Sequence, residues 1–117
     1  MPVQPKFIAQ VILFNLERED IKILMQISFN YKRQLYFEGY DSGRSVEEAW
    51  GDSDYEYTYT IEPEEVSKFY PLFNLDIGDK RGFLQEIKKR FGVNEAYSLL
   101  GEFMRQNDIK FQSFTWT

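Results

Sequence analysis

Tyr55-Glu56-Tyr57-Thr58-Tyr59-Thr60-Ile61-Glu62 alternates strictly, with Tyr55, Tyr57, Tyr59 and Ile61 on one face and Glu56, Thr58, Thr60 and Glu62 on the other. A period of two, written in aromatic and β-branched residues, is the pattern of a half-buried β-strand. The segment leading into it, Gly39 to Asp54, is acidic and punctuated by Gly39, Gly43 and Gly51. The rest of the chain is expected to pack around this strand.

Working upstream, Leu35 and Phe37 share a face in a third strand over about 32–40, with Tyr36 opposite. A tight turn near Asn30-Tyr31 precedes it. Before that turn Ile21, Ile23, Met25, Ile27 and Phe29 alternate with mostly polar residues, Leu24 being the exception. The first strand spans Lys6 to Leu16 and carries Phe7, Ala9, Val11 and Leu13 on one face and Ile8, Ile12 and Phe14 on the other. Apolar residues on both faces predict a strand that is central or covered on both sides. The connections are short, which favours an antiparallel meander over crossovers.

Between the third strand and the organising one, Asp41-Ser42-Gly43 is turn chemistry. Ser45-Val46-Glu47-Glu48 is a capping box that predicts a short helix through Trp50, stopped by Gly51. Downstream, Glu62-Pro63-Glu64-Glu65 announces a helix with Pro at its first position and acids in its positive first turn. Val66, Phe69, Tyr70 and Phe73 form its apolar stripe, and Pro71 should end or kink it near Tyr70. Asp79 caps a second helix to Phe91, burying Phe83, Leu84, Ile87 and Phe91, with Gly92 at its end. Asn94 caps a third, to about Gln106, burying Tyr97, Leu100, Phe103 and Met104. A last strand from Ile109 reaches Trp116.

The order is β-β-β-(short α)-β-α-α-α-β. It predicts one α+β domain over 1–117, a largely antiparallel sheet of about five strands with three helices packed on one face. A chain of 117 residues, 43% hydrophobic and 18% aromatic, suffices for one packed core and argues against disorder.

Composition narrows the chemistry. Cysteine and histidine are both absent, which removes disulfides, the usual zinc sites, Ser-His and Cys-His nucleophile pairs and imidazole acid/base work. A catalyst would have to rest on carboxylates, Lys, Tyr or a hard metal held by oxygens. Asp41, Asp52, Asp54 and Glu56 are the carboxylates to weigh for a divalent ion or acid/base chemistry, but the EF-hand spacing is not met. No cofactor loop is present either, since the glycines lie too far apart for a phosphate cradle. The expectation is a non-catalytic protein without metal or cofactor. Met1 to Lys6 lacks a basic start followed by an apolar run, and no apolar stretch nears the ~20 residues of a membrane span, so a cytoplasmic protein that does not enter membranes is expected.

The net charge of −5 is uneven. Glu38 to Glu65 holds ten acids against Arg44 alone, while the remainder has nine acids and thirteen bases. A phosphate backbone would be repelled by that middle, so nucleic acid is not the expected partner; a basic protein surface is. Glu47, Glu48, Asp52, Asp54 and Glu56 would supply steering, with Asp41 beside them, and Tyr40, Trp50 and Tyr55 would anchor. Tyr57 and Tyr59 are better read as core. Lys80, Arg81, Lys88, Lys89 and Arg90 make the second helix basic, a face that could pair with the acidic middle within one molecule or between two. The chain is expected to be a monomer, or a homodimer joined at an exposed strand edge such as the C-terminal strand with Trp116.

Tyr40-Asp41-Ser42-Gly43, Glu47-Glu48, Gly51-Asp52-Ser53-Asp54-Tyr55-Glu56-Tyr57 and Asn107-Asp108-Ile109-Lys110-Phe111 together resemble small acidic bacterial α+β proteins. Those proteins share an Asp-x-Gly turn, a Gly-Asp-x-(Asp/Glu)-Tyr-Glu approach to a strand, and a closing helix with an Asn-x-Ile and aromatic strand. In size and charge the chain is similar to the immunity proteins that neutralise bacterial toxins. The resemblance implies an immunity- or inhibitor-like binding role.

Overall fold

The computed structural model describes residues 7–44, 47–48 and 54–116. Five strands, β1 (Phe7–Arg18), β2 (Ile21–Asn30), β3 (Leu35–Ser42), β4 (Asp54–Ile61) and β5 (Gln112–Trp116), form one sheet in sequential order. All neighbours are antiparallel. Between β4 and β5 run the helices α1 (Pro63–Val66), α2 (Phe69–Leu72), α3 (Lys80–Phe91) and α4 (Ala96–Gln106). The architecture is the expected α+β meander with helices on one face, in a slab 44 × 44 × 22 Å, the thickness of one sheet and one helix layer.

The period-two pattern decides which residues meet the helices. Ile23, Met25, Ile27 and Phe29 of β2, Leu35 and Phe37 of β3, and Tyr57, Tyr59 and Ile61 of β4 are all buried. Phe83 lies within 5.7 Å, centroid to centroid, of Phe29, Phe69, Tyr70 and Phe73, so α2 and α3 close over the sheet through aromatic rings. Burying each such ring contributes about 2–3 kcal/mol relative to leaving it exposed. At the other end α4 docks on β4 through stacked Tyr59 and Tyr97 rings, 4.1 Å apart, and the Tyr59 hydroxyl donates to the Tyr97 carbonyl at 2.8 Å.

β1 departs from the expectation. Among the described residues it is an edge strand with β2 as its neighbour, not a central one. Its register against β2 shifts between Ile12 and Phe14, a β-bulge that admits one extra residue. Val11, Leu13, Phe14 and Leu16 all reach the core side, leaving Ile12 46% exposed on the other. The run that strict alternation assigns to two faces therefore serves one.

The helices differ in detail. The segment from Pro63 forms two four-residue helices separated at Ser67 and Lys68, so the break precedes Pro71 by several residues. Pro71 lies in the first turn of α2, where a missing N–H is tolerated. Asp79 caps α3 as expected, its carboxylate accepting from the Gly82 N–H at 3.0 Å. Asn94 does not cap α4; the helix starts at Ala96 after Glu95, without a side-chain cap. Of the short helix expected from Ser45 through Trp50, Arg44, Glu47 and Glu48 are helical, while Ser45, Val46, Trp50 and Gly51 lie outside the described residues.

Candidate partner-binding face

Helices α1 to α4 cover one side of the sheet, and the other side carries none of these four helices. Pairing across the strands places residues of one parity together: Leu24, Gln26 and Ser28 of β2, Tyr36, Glu38 and Tyr40 of β3, Glu56, Thr58 and Thr60 of β4, and Gln112, Phe114 and Trp116 of β5. Tyr40 is directly opposite Glu56, and Glu56 directly opposite Trp116. Small residues form the floor: Ser28 and Thr58 are buried between larger neighbours although they belong to this side.

A depression of about 270 Å³ on this face is lined by Leu24, Gln26, Glu38, Gly39, Tyr40 and Glu56. A ladder of amides orients its acidic wall. Gln10 Nε2 donates to Gln26 Oε1 at 2.5 Å, and Gln26 Nε2 donates to Glu38 Oε1 at 2.8 Å, across three strands. The Tyr40 hydroxyl donates to Asp54 Oδ1 at 2.8 Å, which holds that ring at the rim and raises its pKa above the usual tyrosine value. Tyr36 is likewise raised, by burial first and then by Glu38 and Glu56, whose negative potentials both reach it. Among the described residues, neither Glu38 nor Glu56 is in an ion pair, whereas Lys68 pairs with Glu65 and Arg90 with Glu86 on the helix side. Lys22, the base that β2 contributes to this face, is opposite Glu17 at the end of the sheet.

The expected site residues are divided by the sheet. Tyr40, Asp54 and Glu56 belong to the open face. Asp41 and Tyr55, directly paired, belong to the helix side. Asp41 is half-buried there and accepts from the Tyr57 hydroxyl at 2.6 Å. Burial raises its pKa, and the Tyr57 hydrogen bond partly offsets this. Tyr55 packs against the core with its ring 5.5 Å from that of Tyr57. Asp41 and Tyr55 thus lie on the helix side at the sheet's end, apart from Tyr40, Asp54 and Glu56. Glu47 and Glu48 are exposed and helical; Trp50 and Asp52 lie outside the described residues. Of the carboxylates weighed for a shared site, Asp41 and Glu56 point to opposite sides of the sheet and do not converge. Among the described residues no cluster of three or more acids has the arrangement to hold a metal ion. The basic face of α3 is on the far side of the sheet from Glu38 and Glu56, so it does not neutralise them within one molecule.

Residues that the sequence did not single out complete the face. Leu24, which broke the alternation of β2, is the apolar wall of the depression, and Glu38 is its oriented carboxylate. The break at Leu24 was the visible irregularity, but a single apolar residue at a solvent-side position is ordinary, and only its grouping with Tyr40 across the strands makes it a patch. No family model, curated protein or solved structure matches the chain. No helix is long and apolar enough to cross a membrane.

Proposed function

We propose that this protein is a non-catalytic binding module that docks a basic protein through its open sheet face, in the cytoplasm. The observation that carries the reading is the depression lined both by the apolar surfaces of Leu24 and Tyr40 and by the carboxylate residues Glu38 and Glu56. Such a site matches an arginine or lysine side chain, stem against the apolar walls and cation between the acids. Tyr36, Tyr40 and Trp116 add ring faces for cation–π contact, worth about 0.5–2 kcal/mol each. Glu47, Glu48 and Asp54 extend the negative field at the end of the sheet and would accelerate encounter. An immunity- or inhibitor-like role is the specific form that the small, acidic build favours.

The test is capture from native lysate at low and moderate salt, with the wild type and with the double charge reversal Glu38→Lys/Glu56→Lys. The expected result is a stoichiometric basic partner that the wild type loses as salt rises and the variant does not capture. A partner that is retained by the variant, or whose association rate is indifferent to ionic strength, would sink the reading.

A further inference from the structure

β5 is an edge strand: it pairs with β4 on one side, and among the described residues no strand pairs with the other. All five of its residues are exposed. Phe114 is 63% and Trp116 39% exposed, with ring centroids 5.0 Å apart. An open edge presents a row of backbone donors and acceptors, and proteins normally blunt it with charge, proline or a bulge. Gln112-Ser113-Phe114-Thr115-Trp116 has no charge, no proline and no register shift against β4. The opposite edge is blunted twice over, since β1 carries two register shifts and ends in Glu17-Arg18.

We propose that β5 pairs antiparallel with β5 of a second copy of the chain, about a two-fold axis at Phe114, joining two sheets into one. Symmetry fixes the register: Phe114 opposes its own mate, Ser113 opposes Thr115, and Gln112 opposes Trp116. Every directly opposed pair is neutral, so the penalty for like charges across strands is absent at each position. The pairs are also favourable in kind: an aromatic pair at the axis, hydroxyls flanking it on the helix side, and an indole over an amide on the open side.

The charge of −5 on each chain does not defeat this contact. The two copies of Glu56 would be three strand spacings apart across the sheet and four residues apart along it, a separation of about 20 Å. That exceeds the Debye length of about 8 Å at physiological salt, so their repulsion is largely screened. The dimer is independent of the basic-partner reading, and it would set two acidic–aromatic faces side by side on one surface.

The test is sedimentation of the full chain over about three decades of concentration, comparing the wild type, Phe114→Lys, Phe114→Glu and an equimolar mixture of the two variants. The wild type is expected to reach twice the monomer mass. Each variant alone should stay monomeric, because identical charges meet at the axis. The mixture should recover the doubled mass, because opposite charges then meet. A wild type that remains monomeric throughout overturns the proposal, as does a dimer persisting in both single variants, or a mixture that fails to associate. Hydrogen exchange of the wild-type β5 amides is a second readout that needs no variant: slower exchange at high concentration is expected, and concentration-independent exchange would refute the pairing.

Discussion

At Gly39 a Cβ would fall within the ring of Tyr57, which crosses the strand at that point. Because the obstacle is a buried ring and not the free end of a flexible chain, Gly39→Ala should cost about 1–3 kcal/mol in chemical denaturation. The cost should shrink on a Tyr57→Leu background; an equal cost there would show that the ring is not the cause. The same tyrosine ends on Asp41, and its hydroxyl is the donor that makes a half-buried carboxylate tolerable. Asp41 binds its proton more tightly folded than unfolded, so its contribution to stability is present in acid and is lost as pH rises from the ordinary carboxylate range through its raised value. Tyr57→Phe removes the donor and increases that loss. It should cost about 1–2 kcal/mol at pH 7 and less near pH 4; equal costs at both would show that Asp41 is not the group responsible. The sequence made Tyr57 legible as core, because its parity matched Tyr59 and Ile61. It did not reveal the side on which Asp41 lies. Asp41-Ser42-Gly43 reads as a turn, and turn chemistry hid the continuation of the Leu35, Phe37, Gly39 alternation to Asp41.

Among the elements, α3 depends on its first turn. Asp79→Ala should lower stability by about 0.5–2 kcal/mol, the usual loss for an N-cap, whereas Asn94→Ala should fall within about 0.5 kcal/mol because Asn94 caps nothing. Thermal melts of the two variants check this: equal losses would show that the Asp79 hydrogen bond to the Gly82 N–H contributes nothing. α1 is tied to the segment leading into the last strand by Glu65, which accepts from the Lys110 N–H at 2.7 Å and from Lys68 Nζ at 2.9 Å, while Lys68 also donates to the Asp108 carbonyl. These bonds, the Lys110 N–H foremost, hold the Glu65 pKa below the usual carboxylate value. A depressed pKa contributes stability above the unfolded value that is lost as pH falls through the folded one. Glu65→Gln should therefore be less stable than the wild type at neutral pH, with the two converging in acid; parallel curves across the whole range would contradict this. Asp79 was legible because a capping residue sits at a fixed offset from the apolar stripe. The Glu65 bond was not, because its two ends are far apart in sequence and meet only when β5 returns to β4.

On the scale of the whole molecule, the sheet separates charge. Arg81, Lys88, Lys89 and Arg90 are exposed on the helix layer, and Glu38, Glu56 and Asp54 are on the open side. The Lys68–Glu65 and Arg90–Glu86 pairs each join neighbours on one helical segment and are partly exposed, so each is worth at most about 1 kcal/mol. Repulsion within the acidic middle should outweigh them, and the melting temperature should rise modestly from low salt to about 0.15 M. A fall would mean that attractive pairs dominate. The sequence displayed the acidic block, but its division between two faces follows from strand register, which composition does not carry. The bulged rim of β1 has a last consequence. A sheet with two pairing-competent rims can add copies without limit and become a fibre, whereas one with a single competent rim exhausts it in the first encounter. If β5 is where copies meet, the irregularity between Ile12 and Phe14 is a chain terminator: it holds the assembly at two.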